Sequence, residues 1–332
     1  MSQPKYSVII PVYNRPDEVD ELLESLTNQK FSDFEVIIVE DGSTHSCKEV
    51  VDRYIDKLNI SYFFKENTGP GTTRNFGAEK AKGEFFIFFD SDCIIPSDYF
   101  IEVEQELSTG KVDAFGGPDR SHISFTPIQK AINYSMTSFF TTGGIRGGKE
   151  RFDKFFPRSF NMGISKFAFQ STGGFSKLRF GEDVDFSLRI VHAGFKTRLF
   201  PKAWVYHKRR TDFRKFYRQV YNSGIARINL HLLHPGSLKI VHLLPSAFVV
   251  TMIFFTLAAT FFPFALLLPI GYCLIVFISS LILNGNLLVA FLSIPASWIQ
   301  LFGYGLGFIE ATWKRLVLGK KDFKAFEKNF YS

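Results

Sequence analysis

The sequence predicts an α/β domain built on a mainly parallel sheet, followed by membrane helices. Three observations carry this. Short β-rich runs alternate with helical patterns over the first hundred residues, as βαβ units require. Carboxylates stand at the ends of two of those strands, where parallel sheets bind their ligands. Across residues 240–312 the only formally charged side chain is Glu310, an apolar block that a domain in water has no means to cover.

Residues 7–12 read as a buried strand, and 18–27 as a helix with Val19, Leu22, Leu23 and Leu26 on one face. A second strand over 34–39 runs into the turn Asp41-Gly42-Ser43. A helix over 47–57, a strand over 60–64, a helix over 72–82 and a strand over 84–89 continue the alternation. That last strand ends at Asp90-Ser91-Asp92. Residues 97–107 are helical, with Ser97 as a plausible cap. The run 143–148, rich in glycine, is a loop. Order returns with a strand over 160–164, a turn at Gly173-Gly174-Phe175, a helix over 182–192 and a strand over 203–207.

The apolar block divides at Pro263 and at Asn284-Gly285-Asn286 into 240–262, 264–283 and 287–312, each near the ~20 residues of a spanning helix. Seven basic residues from Arg209 to Lys239 precede the block, and six from Lys314 to Lys328 follow it. Such flanks favour anionic lipid headgroups and mark the cytoplasmic side, so an even number of crossings, two, is expected. The net charge of +7 therefore points to a membrane and not to nucleic acid, for which no binding module is recognisable. Cys47, Cys93 and Cys273 make no disulfide framework. The first apolar run is too short for a signal-peptide core and is interrupted by Pro11. The expected organisation is an α/β domain over 1–205, a basic interfacial helical segment over 206–239, membrane helices over 240–312 and a basic cytoplasmic tail over 313–332. The location is the cell (inner) membrane, multi-pass, with the α/β domain in the cytoplasm.

Several motifs can carry chemistry. Two carboxylates one residue apart, Asp90 and Asp92, present both groups near one point and can hold a divalent cation between phosphate oxygens. A solvated turn has the same composition. Asp41 at a strand end can accept hydrogen bonds from a base or ribose, and Gly42 permits the sharp turn; an ordinary Asp-Gly turn reads the same way. Glu182, Asp183 and Asp185 open a helix, where acidic groups suit the dipole, and Asp185 is spaced to pair with Arg189. His207 is either a hydrogen-bonded structural residue or a metal ligand. Arg74 and Asn75, after Gly69-Pro70-Gly71, serve phosphates, orient the metal carboxylates, or cap a surface helix.

Their order is more specific than any one of them. The run from Ser7 to Asn14, then Glu40-Asp41-Gly42-Ser43, Gly71-Thr72-Thr73-Arg74-Asn75, Asp90-Ser91-Asp92, Gly173-Gly174-Phe175, Glu182-Asp183 and His207 resembles the family 2 glycosyltransferases of the GT-A fold, over roughly residues 5–230. The resemblance implies a nucleoside-diphosphate sugar as donor, bound by Pro11, Tyr13, Asn14, Asp41, Arg74, Asp90 and Ser91. It implies Mg²⁺ or Mn²⁺ on Asp92 and His207, Asp183 with neighbouring Glu182 as the catalytic carboxylates, and Asn161 and Met162 at the acceptor pocket. Asp183 would deprotonate an acceptor hydroxyl opposite the leaving diphosphate, as inversion requires.

Two departures refine this. Glu40 stands where the family often has aspartate, while Asp41 is kept. The Gln-x-x-Arg-Trp of processive synthases is absent from Gln219-Val220-Tyr221-Asn222, which argues for transfer of a single sugar. The stretch 213–230 is similar to membrane-bound members that build exopolysaccharide repeat units. The expected reaction is thus inverting, metal-dependent transfer to a hydroxyl of a lipid-linked saccharide. The alternatives are transfer to a polyprenyl phosphate, already ionised and needing no strong base, and a sugar-nucleotide-binding membrane protein without catalysis.

Overall fold

In the computed structural model, which describes residues 3–122, 124–143, 155–178 and 180–320, the chain opens as β1 (Tyr6–Val12), α1 (Pro16–Thr27), β2 (Phe34–Asp41), α2 (Lys48–Asp52), β3 (Ile60–Lys65), α3 (Pro70–Lys80) and β4 (Phe85–Phe89). Pro16 and Pro70 sit in the first turns of α1 and α3, where a missing N–H costs nothing. The helix expected over 47–57 is shorter. From Arg53 the backbone turns, and the Tyr54 hydroxyl donates to Asp20 on α1 at 2.6 Å.

The chain continues through β5 (Cys93–Ile94), α4 (Tyr99–Ser108), β6 (Ala114–Gly116), β7 (Asp119–Arg120), α5 (Pro127–Thr137), α6 (Phe139–Thr142), β8 (Asn161–Ser165), α7 (Lys166–Thr172), α8 (Glu182–His192), β9 (Thr197–Leu199) and β10 (Val205–His207). Asp98, not Ser97, precedes α4, and its side chain makes no cap hydrogen bond. Of the glycine-rich run 143–148, only Gly143 lies within the described residues. It ends α6 in the left-handed conformation.

One seven-stranded sheet has the order β3-β2-β1-β4-β8-β6-β9, and β5-β10-β7 form a small second sheet. The pairs from β3 through β4 are parallel, whereas β8 runs antiparallel to both β4 and β6. Parallel neighbours align their carboxyl ends, so Val12, Asp41, Lys65 and Phe89 finish at one edge. Alternating residues of β1 divide the core between the two faces. Tyr6, Val8 and Ile10 pack with Val19, Leu22 and Leu23 of α1, while Ile9 packs with Ala78, Phe186 and Ile190 on the other side.

The described residues form two compact units. The first holds residues 3–122, 155–178 and 180–208; the second holds 124–143 and 209–320. The sequence places one boundary near 205, and the structure adds that 124–143 groups with the C-terminal helices. These are α9 (Phe213–Leu233), α10 (Leu244–Ala258), α11 (Leu267–Asn284) and α12 (Leu287–Thr312). Asp212 caps α9, accepting from Lys215 N at 2.7 Å. Asn286 caps α12 through Val289 N at 3.0 Å, after the left-handed Gly285 has ended α11.

In this second unit α5, α9, α10 and α11 all pack on α12. Gly303, Gly305 and Gly307 make that possible. A Cβ on Gly307 would strike the Tyr221 carbonyl of α9, and one on Gly224 would strike the Tyr304 carbonyl of α12. The two backbones touch directly, as small residues allow between apolar helices.

Of the three expected spans, the first is not one helix. A 3₁₀ turn at Ile240–His242 precedes the 15 residues of α10, which are short of a bilayer's thickness. Two helical stretches, Pro263–Asn284 and Leu287–Val317, are long and apolar enough to cross a membrane.

Candidate active site

The edge where the parallel strands end gathers most of the expected residues. Pro11, half-buried, sits near the end of β1, and half-buried Tyr13 follows it. Asn14 adopts a left-handed backbone with φ 54°. Its Oδ1 accepts from Thr44 N and His45 N at 2.8 and 2.9 Å, clipping this loop to the one after β2.

Asp41 is buried and engaged by its own chain. Its oxygens accept from Thr68 N and Gly69 N at 2.9 Å each, and Lys65 pairs with it closely. These bonds set the 65–69 loop that leads into α3. Glu40, the family departure, is buried too. It holds Ser46, Cys47 and Tyr62 through hydrogen bonds.

Arg74 is not a surface cap. The guanidinium is buried over the Phe175 ring, with Nη2 2.5 Å from Asp90 Oδ1 and Nη1 3.1 Å from Glu182 Oε1. Its neighbour Asn75 exchanges two 2.8 Å hydrogen bonds with the Phe175 backbone. The dipeptide thus ties α3 to the strand carrying Asp90, to the turn at Gly173-Gly174 and to the start of α8.

Asp90, buried Ser91 and Asp92 follow β4 as expected. Strand β5 then pairs His207 with Cys93, which sets His207 Nε2 3.1 Å from Asp92 Oδ1 and 3.9 Å from Asp90 Oδ2. Phe160 stacks on the imidazole at 4.8 Å. Nδ1 of His207 has no hydrogen-bond partner among the described residues.

Donor atoms of Asp92, Cys93 and His207 lie within 4.8 Å of one another. Burial, with Asp92 and Asp90 nearby, holds the Cys93 thiol far above its usual range, and it donates to the Phe160 carbonyl. Carboxylate oxygens and one imidazole nitrogen remain, a donor set that fits Mg²⁺ or Mn²⁺.

At the start of α8, left-handed Gly181 precedes the buried Glu182 and Asp183. Burial foremost, and then the neighbouring Asp183 charge, push the Glu182 carboxyl up to about 7 against the pull of Arg74. Burial also works to raise Asp183. Arg158, whose Nε lies 2.5 Å from Asp183 Oδ2, outweighs it and leaves the group below its ordinary value. Asp185 pairs with Arg189 at 2.9 Å, the i,i+4 contact its spacing predicts.

Asn161 and Met162 differ from expectation. Asn161 is 1% exposed, accepts from the Tyr99 hydroxyl at 2.6 Å and donates to the Ala203 carbonyl at 2.8 Å. Met162 is wholly buried in the core. Both side chains belong to the interior of β8, since the strand that carries them lies mid-sheet and is covered on both faces. Arg15, Lys65 and Arg158 touch the expected acidic residues without having been expected there. Nothing in local spacing marks them, because each meets its carboxylate only through the fold.

The strand order and this acidic edge define a Rossmann-like domain of the GT-A class. Within that class the chain belongs to glycosyl transferase family 2, which its residues 7–173 match. An uncharacterized glycosyltransferase of Rickettsia bellii is 44% identical over 103 residues, 31% of this chain and 14% of that protein. The GalNAc(5)-diNAcBac-PP-undecaprenol beta-1,3-glucosyltransferase of Campylobacter jejuni is 35% identical over 116 residues, 34% of this chain and 38% of that one. The chain therefore matches less than half the length of either. Among solved structures, the mannosyltransferase PcManGT of Pyrobaculum calidifontis, in complex with GDP-Man and Mn²⁺, superposes with a TM-score of 0.64. It is 18% identical and covers 91% of this chain and 88% of its own, a likeness of fold.

Proposed function

We propose that this chain transfers a single sugar, with inversion, from a nucleoside-diphosphate sugar to a hydroxyl of a lipid-linked saccharide during cell-surface glycan synthesis. The observation that carries the reading is the placement of Arg74, which joins Asp90, beside the cation-suited Asp92 and His207, to the carboxylate pair opening α8. A donor site and an acid–base pair on one edge are what glycosyl transfer needs.

Asp92 and His207 would hold Mg²⁺ or Mn²⁺, with Asp90 beside them at the ribose and diphosphate of the donor. That cation would neutralise the leaving diphosphate. Pro11, Tyr13, Asn14 and Ser91 line the nucleotide side, and Asp41 shapes its floor through the 65–69 loop. Asp183 accepts the acceptor proton at Oδ1 or Oδ2, and Arg158 orients it. Burial and the Asp183 charge raise the Glu182 carboxyl to about 7, which lessens the negative charge the pair bears beside the donor. The Campylobacter relative, whose acceptor is by its name an undecaprenol-linked saccharide, supports a lipid-linked acceptor. The helices Pro263–Asn284 and Leu287–Val317 support a membrane-bound enzyme, with the catalytic domain in the cytoplasm where nucleotide sugars are made.

One observation favours a second reading. Arg158 sets a cation against Asp183, an arrangement that also suits a phosphate acceptor on a polyprenyl carrier. The deciding experiment incubates membranes carrying the protein with a panel of nucleotide sugars, with and without EDTA, and measures nucleotide release. Release from one donor, dependent on added saccharide acceptor and lost in EDTA, is the expected result. Release driven by polyprenyl phosphate alone would favour the second reading, and no release from any donor would sink both.

A further inference from the structure

The loop after β1 brings a positive charge to the acidic edge. Asn14, fixed by Thr44 and His45, holds the next residue in place. Arg15 sets Nη1 2.9 Å from Asp92 Oδ2 and 3.0 Å from Glu18 Oε2. The other oxygen, Oδ1, faces His207 Nε2 at 3.1 Å. The two oxygens of Asp92 thus have unlike neighbours. An imidazole can turn a lone pair to a metal ion, whereas a guanidinium has only donors.

We propose that Arg15 is a positioning residue of the metal centre, one that restricts Asp92 to a single ligating oxygen and makes cation binding depend on the nucleotide. This rests on the reading of Asp92 and His207 as metal ligands. Arg15 occupies the Oδ2 edge and repels a divalent ion at Oδ1. Two neighbouring basic groups pair with other carboxylates, Arg74 with Asp90 and Glu182, and Lys208 with Glu21 at 2.6 Å. A nucleoside diphosphate adds several negative charges, which offset the Arg15 charge and favour the divalent ion. The ion and the nucleotide then each strengthen the binding of the other.

The test uses the full chain in detergent and follows Mn²⁺ binding by electron paramagnetic resonance, with and without UDP or GDP. Arg15→Gln is expected to bind Mn²⁺ alone about ten-fold more tightly than wild type, and the difference should shrink once nucleotide is present. Arg15→Lys, which keeps the charge, should stay close to wild type. Equal or weaker Mn²⁺ binding by Arg15→Gln, in protein whose thermal melt matches wild type, overturns the proposal. So does an Arg15→Lys variant that behaves like Arg15→Gln. If wild type binds no Mn²⁺ under either condition, the assignment of Asp92 and His207 falls along with it.

Discussion

Arg74 joins two carboxylates of the acidic edge, with Nη2 2.5 Å from Asp90 Oδ1, while the other arm of the same guanidinium reaches Glu182. Planar, permanently charged and able to donate in two directions, arginine suits this place in a way lysine does not. Removing one member of a buried ion network costs about 3 kcal/mol or more, because the partners stay behind uncompensated. Arg74→Ala is therefore expected to lower thermal stability and to abolish nucleotide release. Arg74→Lys should recover much of the stability and little of the turnover. A melt of Arg74→Ala indistinguishable from wild type would mean the network is not held as described.

The metal assignment predicts loss of turnover in Asp92→Ala and in excess EDTA, restored in the wild type by Mg²⁺ or Mn²⁺. Two carboxylates beside a diphosphate repel it unless a cation intervenes. Full activity in chelator would remove the cation from the reaction.

Asp183→Asn preserves size and most hydrogen bonding but cannot take a proton. With a hydroxyl acceptor, kcat should fall by about 10²–10⁴-fold while donor binding survives. A variant that works almost normally would make Asp183 structural or point to a phosphate acceptor.

Glu182 predicts a pH dependence with a definite sign. Its carboxyl is raised from 4.5 to about 7 in the fold, so its contribution to stability is fully present below 4.5 and is lost as pH rises through about 7. Glu182→Gln has no such dependence. The difference in melting temperature, variant minus wild type, should therefore grow as pH goes from 4.5 to 7.5. A flat difference would show that Glu182 titrates normally.

Both ends of the apolar block are basic, and two crossings are expected. A reporter fused after Ser332 should then read cytoplasmic in intact cells. An external reading would mean that the stretch 240–262 crosses as well, although α10 is only 15 residues long.

Much of this was legible in the sequence. The βαβ series, Asp90 and Asp92 at the end of β4, and Glu182 and Asp183 opening α8 follow from periodicity and strand ends, which are local signals. What escaped was non-local. Strands β5, β6, β7 and β9 have two or three residues each, too few to show a period of two. The resemblance implies Asn161 at the acceptor pocket, yet Tyr99 and Ala203, 62 and 42 residues away, satisfy its side chain inside the domain. Arg158 lies 25 residues before the carboxylate it holds. The grouping of 124–143 with the C-terminal helices depends on packing against α12, which no pattern within that segment records.

The backbone contact between Gly224 of α9 and α12 has a consequence for adaptation to lipid. A spanning helix leans further as the bilayer thins. Where α12 lies in lipid, α9 has no cushion of side chains at Gly224 and Gly307 to absorb that lean, and must follow it. Arg214 and Arg218, one turn apart on α9, would then shift against the headgroups whenever acyl-chain length changes. Bilayer thickness would then act on α9 mechanically through one pair of glycines.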